Sequence, residues 1–193
     1  MQAVMALVLV VAGVDPDPGA ARVERLIRQL GDDSFARRQA ASRELEAIGE
    51  PTLPALRKAA AQDTDAEIRR RAQSVVQTLM AKVYRREQEK YAGLWKTADG
   101  IWLKISGDRW SSGTLTWGPA AGTMRVTDIK DNIMFVDLEV DEGPPKGQTC
   151  KAILRRDGDV MEYCGTYAGH YPPEFKATAN YYYLARLKKV KPE

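Results

Sequence analysis

The chain reads as an α+β protein in two segregated parts, N-terminal antiparallel α-helical pairs followed by a small antiparallel eight-stranded β-barrel. Up to Tyr91 apolar residues recur at helical spacing, and from Gly93 they recur at period two. Asp157-Gly158 then joins two apolar-rich runs, a strong hairpin signal because such a turn needs positive φ and glycine adopts it without a Cβ clash. The expected divisions are a leader and linker at 1–19, a helical segment at 20–92, a barrel at 93–188 and a tail at 189–193.

Composition bounds the function. Of 193 residues, 44% are apolar and 28% charged, an ordinary globular balance that excludes disorder throughout. The formal net charge of +3 is weak and spread over both parts, without the strong basic face of a nucleic-acid binder. The triplet Arg69-Arg70-Arg71 reads as one solvated helix face.

Residues 1–12, MQAVMALVLVVA, form an uncharged apolar run of signal-peptide length, too short to span a bilayer as a helix. Val10-Val11-Ala12 fits the small-residue cleavage rule, although the segment before the apolar run has no Lys or Arg. Read this way the protein is exported, to the periplasm or the outside. Read as an apolar first helix, the same run leaves the protein in the cytoplasm.

The helices follow in order. Val23, Leu26, Ile27 and Leu30 mark a first amphipathic helix that Gly31 stops. A second starts at Ser34, a suitable N-cap, and ends at Gly49 after Ala41, Leu45 and Ile48. Pro51 and Pro54 fit only the opening turn of a third, with Leu53, Leu56 and Ala60 as its apolar positions. Thr64-Asp65-Ala66-Glu67 matches a capping box for a fourth, whose apolar face is Ile68, Ala72, Val75, Leu79 and Val83. The run LGDDSFARRQAASRELEAIGEPTLPALRKAAAQDTDAEIRRRAQSVVQTL resembles HEAT-like helical repeats over residues 23–79. Such repeats bury their apolar faces by stacking, so a short array should lean on another surface.

The strands follow from alternation. Ile101, Leu103 and Ile105 alternate with Trp102 and Lys104, and Met134, Val136, Leu138 and Val140 alternate with Phe135, Asp137, Glu139 and Asp141. With segments near Leu94 and at 110–117, 123–129, 149–166 and 177–187, about eight strands are expected, enough to close a small barrel. The hairpin at 149–166 admits two registers. A two-residue loop at Asp157-Gly158 puts Cys150 and Cys164 on opposite faces; a three-residue loop at Arg156-Asp157-Gly158 puts them directly across, where a disulfide could form. A buried pair of free thiols is the other possibility.

Gly93-Leu94-Trp95 opening the first strand and Arg186 in the last resemble the lipocalin pairing of an early tryptophan with a late basic residue over its ring. More closely, Trp95, Gly107-Asp108-Arg109, Val136-Asp137-Leu138, Gly143-Pro144-Pro145-Lys146-Gly147, Asp157-Gly158-Asp159, Cys164, Pro172-Pro173-Glu174-Phe175 and Arg186 resemble an uncharacterised lipocalin-like domain family recurrent in planctomycete proteins, over residues 93–188. The resemblance implies a fold and a barrel closure through Gly93, Trp95 and Arg186, but no activity. Tyr171 departs from it, standing where the family usually has arginine.

The sequence carries no recognisable catalytic pattern. The one histidine, His170, lies in a loop and cannot build a His-rich zinc site. No glycine loop has nucleotide-binding spacing, and Ser111-Ser112-Gly113 lacks partners for a triad. Asp137, Glu139, Asp141 and Glu142 form an acidic ridge whose alternation reads as the wet face of a strand rather than a calcium loop. The aromatics are the most suggestive feature. Trp110, Trp117, Tyr163, Tyr181 and Tyr183 are candidates to line a ligand pocket, or else to fill the core.

The expectation is therefore a non-catalytic binding protein with no cofactor, no metal, no nucleic-acid partner and no integral membrane span. Its barrel would hold a small hydrophobic ligand or cell-envelope component. The alternative is an interaction or scaffold module with a filled barrel and a helical array docked on a protein partner.

Overall fold

A computed structural model describes residues 18–113, 118–144, 146–177 and 183–191. The apolar run at 1–12, and with it the choice between export and retention, lies outside the described residues. The chain forms two compact units, one ending at Met80 and one beginning at Ala81. No helix among the described residues is long and apolar enough to cross a membrane.

The first unit contains α1 (Pro18–Gln29), α2 (Phe35–Ile48), a 3-10 turn (Glu50–Thr52), α3 (Leu53–Gln62) and the opening of α4 (Ala66–Glu89). The residues expected from helical spacing bury together: Leu26, Leu30, Leu45, Leu56, Ala72 and Leu79 share one core cluster. Gly49, at φ 85°, ends α2 as expected, its N–H donating to the Leu45 carbonyl. The cap of α4 differs from the expected box. Asp65, not Thr64, accepts the Glu67 and Ile68 N–H groups, because α4 starts one residue later than the box requires. Glu67 is thereby free to engage Arg70 and Arg71 instead of the backbone.

The second unit is a closed antiparallel barrel of β1 (Gly93–Lys96), β2 (Trp102–Ser106), β3 (Arg109–Ser112), β4 (Ala120–Lys130), β5 (Ile133–Glu142), β6 (Thr149–Asp157), β7 (Val160–Thr166) and β8 (Tyr183–Lys189). Each strand pairs with its sequence neighbour, and β8 returns to β1. The last strand runs past the expected end at 188, and Val190 N–H still donates to Leu94. The end of α4 also belongs to this unit: Tyr84 donates to the Thr127 carbonyl, and Tyr91 is buried in the barrel cluster.

Two hairpins show how turn chemistry sets register. Asp131 and Asn132 both have positive φ, as a type I′ loop demands, and connect Lys130 to Ile133. In the β6–β7 hairpin the loop is Gly158-Asp159, flanked by the pair Asp157 and Val160. Gly158, at φ 54°, thus serves as the first loop residue rather than the second, the place a II′ loop reserves for glycine. Both registers expected from the sequence are displaced by this shift.

Candidate functional site

The shifted register decides the cysteines. Cys164 pairs with Ile153, while Cys150 precedes Lys151, the partner of Thr166. Cys150 belongs to the interior cluster with Ala152 and Leu154, and Cys164, opposite in parity to the inward Tyr163, lies on the outer face. The two are free thiols on opposite sides of the sheet, so the expected candidate disulfide does not form. Burial pushes the Cys150 thiol up to about 11, and burial raises Cys164 as well, which makes both poor nucleophiles at neutral pH.

At one end of the barrel Trp95 is fully buried, and its indole N–H donates to the Tyr91 carbonyl at 2.7 Å. Cationic groups do pack over its ring, but they are Lys189, 5.4 Å from the centroid, and Arg156, at 5.7 Å. Arg186 does not take the role expected of it. It is exposed on β8, one position out of phase with the inward Ala185 and Leu187, whereas Lys189 has the inward parity. Arg156 also donates to the Lys90 and Gly158 carbonyls, tying the end of α4 to the β6–β7 turn. Gly93, at φ 122°, opens β1 where a Cβ would press on the Lys189 side chain at 3.1 Å.

Of the five aromatic candidates, Trp110 and Tyr163 are buried in the barrel cluster and Tyr183 is half-buried against it. Trp117 and Tyr181 lie outside the described residues. Tyr163 runs along β7 over Gly165, where a Cβ would meet its hydroxyl at 2.2 Å, and reaches Cys150 Sγ at 3.3 Å. Burial pushes that phenol well above its ordinary range. The Trp110 indole N–H is buried and, among the described residues, meets no acceptor.

A second constellation lies on the outer face of β4, β5 and β6. Alternation places Asp137 there, yet it is 4% exposed because the segment 167–177 lies against this face. Its carboxylate accepts from Lys151 Nζ at 2.7 Å, Tyr171 OH at 2.6 Å and Arg125 Nη2 at 2.9 Å. With the Tyr171 proton used on Asp137, the Thr127 hydroxyl 2.6 Å away can donate to the phenol oxygen. The Tyr171 ring meets Phe135 edge to face at 5.4 Å and lies under Lys151 Nζ at 4.7 Å. Burial alone would push the Asp137 carboxyl up; the Lys151 and Tyr171 hydrogen bonds, with the charges of Lys151 and Arg125, outweigh it and hold the group below its ordinary range. The same hydrogen bond to Asp137 raises Lys151. This cluster can hold a loop on a sheet; its carboxylate has no vacant role as a base.

The remaining acids of the ridge are exposed, and Asp141 pairs with Arg109. His170 is exposed, with Nδ1 3.2 Å from the Ala168 carbonyl. Alternation alone could not reveal the cluster at Asp137, since its burial comes from a loop beginning thirty-odd residues later in the chain. No protein-family model, curated protein or solved structure matches the chain.

Proposed function

We propose that the protein is a non-catalytic interaction module, a filled lipocalin-like barrel joined to a short HEAT-like helical repeat, and that it works from its outer surfaces. The observation that carries this reading is the barrel interior. Trp95, Leu103, Ile105, Met124, Leu154, Met161 and Tyr163 are all essentially without solvent exposure in one continuous cluster. Side chains of this size are enough to fill the interior of an eight-stranded barrel.

The helical unit supports the repeat. Asp32 Oδ1 accepts Ser34 N–H, and Arg38 Nη1 donates to the carbonyls of Asp32 and the next residue. One helix pair later Asp63 Oδ1 accepts Asp65 N–H, and Arg69 Nη1 donates to the carbonyls of Asp63 and Thr64. The same loop-and-arginine clamp thus opens both α2 and α4. Phe35, 62% exposed, has the guanidinium groups of Arg38 and Arg71 near its ring, an exposed aromatic beside arginines, residue types enriched at protein interfaces.

A second reading is favoured by Trp110. Its orphaned indole N–H in the barrel suits a small apolar ligand bearing one acceptor. Native mass spectrometry of gently purified protein separates the two. Absence of an adduct across extracts is the expected result; an adduct lost on denaturation would replace the filled barrel with a carrier and supply the ligand's mass.

A further inference from the structure

On the outside of the barrel, β8 and β1 form a groove of about 740 Å³ lined by Lys96, Lys188, Lys189, Arg186, Val160 and Val190 among others, with no carboxylate in its lining. Its size is that of a small-molecule site. The charges are arranged against the protein's own stability. Lys96 and Lys188 are direct cross-strand partners, both exposed on the outer face, and like charges so placed repel. Arg186 lies opposite Glu162, but that carboxylate is taken by Arg155 through two hydrogen bonds.

Several outward cations elsewhere on the barrel are matched, although, among the described residues, the isolated Lys104 and Lys130 are not. Arg109 meets Asp141, Arg125 and Lys151 meet Asp137, and Arg155 meets Glu162. Among the described residues no carboxylate lies within ion-pair distance of Lys96, Arg186 or Lys188. The same groove offers apolar surface: Val160 and the 37% exposed Val190 line it, and lysine stems add methylene groups.

We propose that this groove binds an anionic amphiphile, an acidic phosphate or carboxylate head group carrying an alkyl chain. The head group takes charge-assisted hydrogen bonds from Lys96, Arg186 and Lys188, relieving their repulsion, and the chain lies against Val160 and Val190. The site is outside the barrel, so it stands whether or not the interior is filled.

The test uses the full chain and amide NMR, with decyl phosphate below its micelle concentration as probe. Inorganic phosphate and zwitterionic decylphosphocholine serve as comparisons. Decyl phosphate is expected to bind about tenfold or more tightly than either, with shifts centred on Lys96, Val160, Arg186 and Lys188. Lys188→Gln is expected to raise the melting temperature of the free protein by removing the Lys96 repulsion while weakening decyl phosphate; Arg186→Gln should weaken it without that gain. Co-sedimentation with phosphatidylcholine vesicles, with and without phosphatidylglycerol, identifies the source. Pelleting only with phosphatidylglycerol assigns the head group to a membrane, and binding of monomer without pelleting assigns it to a free amphiphile. The proposal is overturned if the phosphocholine or inorganic phosphate binds as well as decyl phosphate. Shifts inside the barrel, or an oligonucleotide binding the same residues more tightly, would also overturn it.

Discussion

Single residues carry unequal shares of this structure. Trp95 combines full burial, a hydrogen bond to Tyr91 and two cations over its ring. Trp95→Ala should cost about 3–5 kcal/mol in chemical unfolding, and a loss under about 1 kcal/mol would remove it from the barrel's foundation. Asp137 matters through charge. Its folded pKa lies below the unfolded value, so its contribution is complete above the unfolded carboxylate range and disappears as pH falls through the folded value. Lys151, raised by the same contact, keeps its share below the unfolded lysine range and loses it as pH rises through the folded value. Asp137→Asn should therefore destabilise the protein by about 1–3 kcal/mol at neutral pH and flatten the acid limb of its stability profile. An unchanged acid limb would show that the carboxylate is not held by these donors.

At the level of elements, the β4–β5 pair is the longest in the barrel and the least regular. Its register shifts between Ala121 and Gly122 and again between Val126 and Asp128. At Gly122 a Cβ would stand 1.7 Å from the Glu139 carbonyl oxygen, a rigid backbone atom that cannot turn aside. Gly122→Ala should cost about 1–3 kcal/mol through forced separation of the strands, read by thermal unfolding and by faster amide exchange along β5. A neutral substitution would mean the strands part more easily than this close approach implies. The segment 167–177 acts as an element of its own, a strap that converts the outer face of β4 to β7 into a second buried layer. Its hold comes from Tyr171 on Asp137 and from Phe175 under Arg155.

For the molecule as a whole, the unit boundary falls inside α4 at Met80 and Ala81 rather than at the helix-to-strand switch near Gly93. A fragment of residues 81–193 should fold as the barrel does in the full chain. A fragment of residues 93–193 lacks Tyr91, whose carbonyl accepts from Trp95, and Gln88, which donates to Gly107. It should be markedly less stable or molten by near-ultraviolet circular dichroism. Equal stability of the two fragments would return the boundary to Gly93.

Local rules in the sequence determined much of this. Period 3.6 located α1 to α4, period two located the strands, and glycine at Gly49 and Gly158 marked where chain direction changes, because backbone sterics and burial of one face act within a few residues. Alternation left Trp110 and Tyr163 as either pocket lining or core; the closed sheet buries both in the barrel cluster. Tertiary structure decided what depends on distant segments meeting. Lys189 and Arg156 rather than Arg186 face Trp95 because register along β8 and β6 is set by closure of the whole barrel. Asp137 is buried because a loop from beyond β7 lies over it. The opposed Lys96 and Lys188 come together only when the last strand pairs with the first. Alternation reports which residues share a face; only closure of the sheet decides what that face will meet.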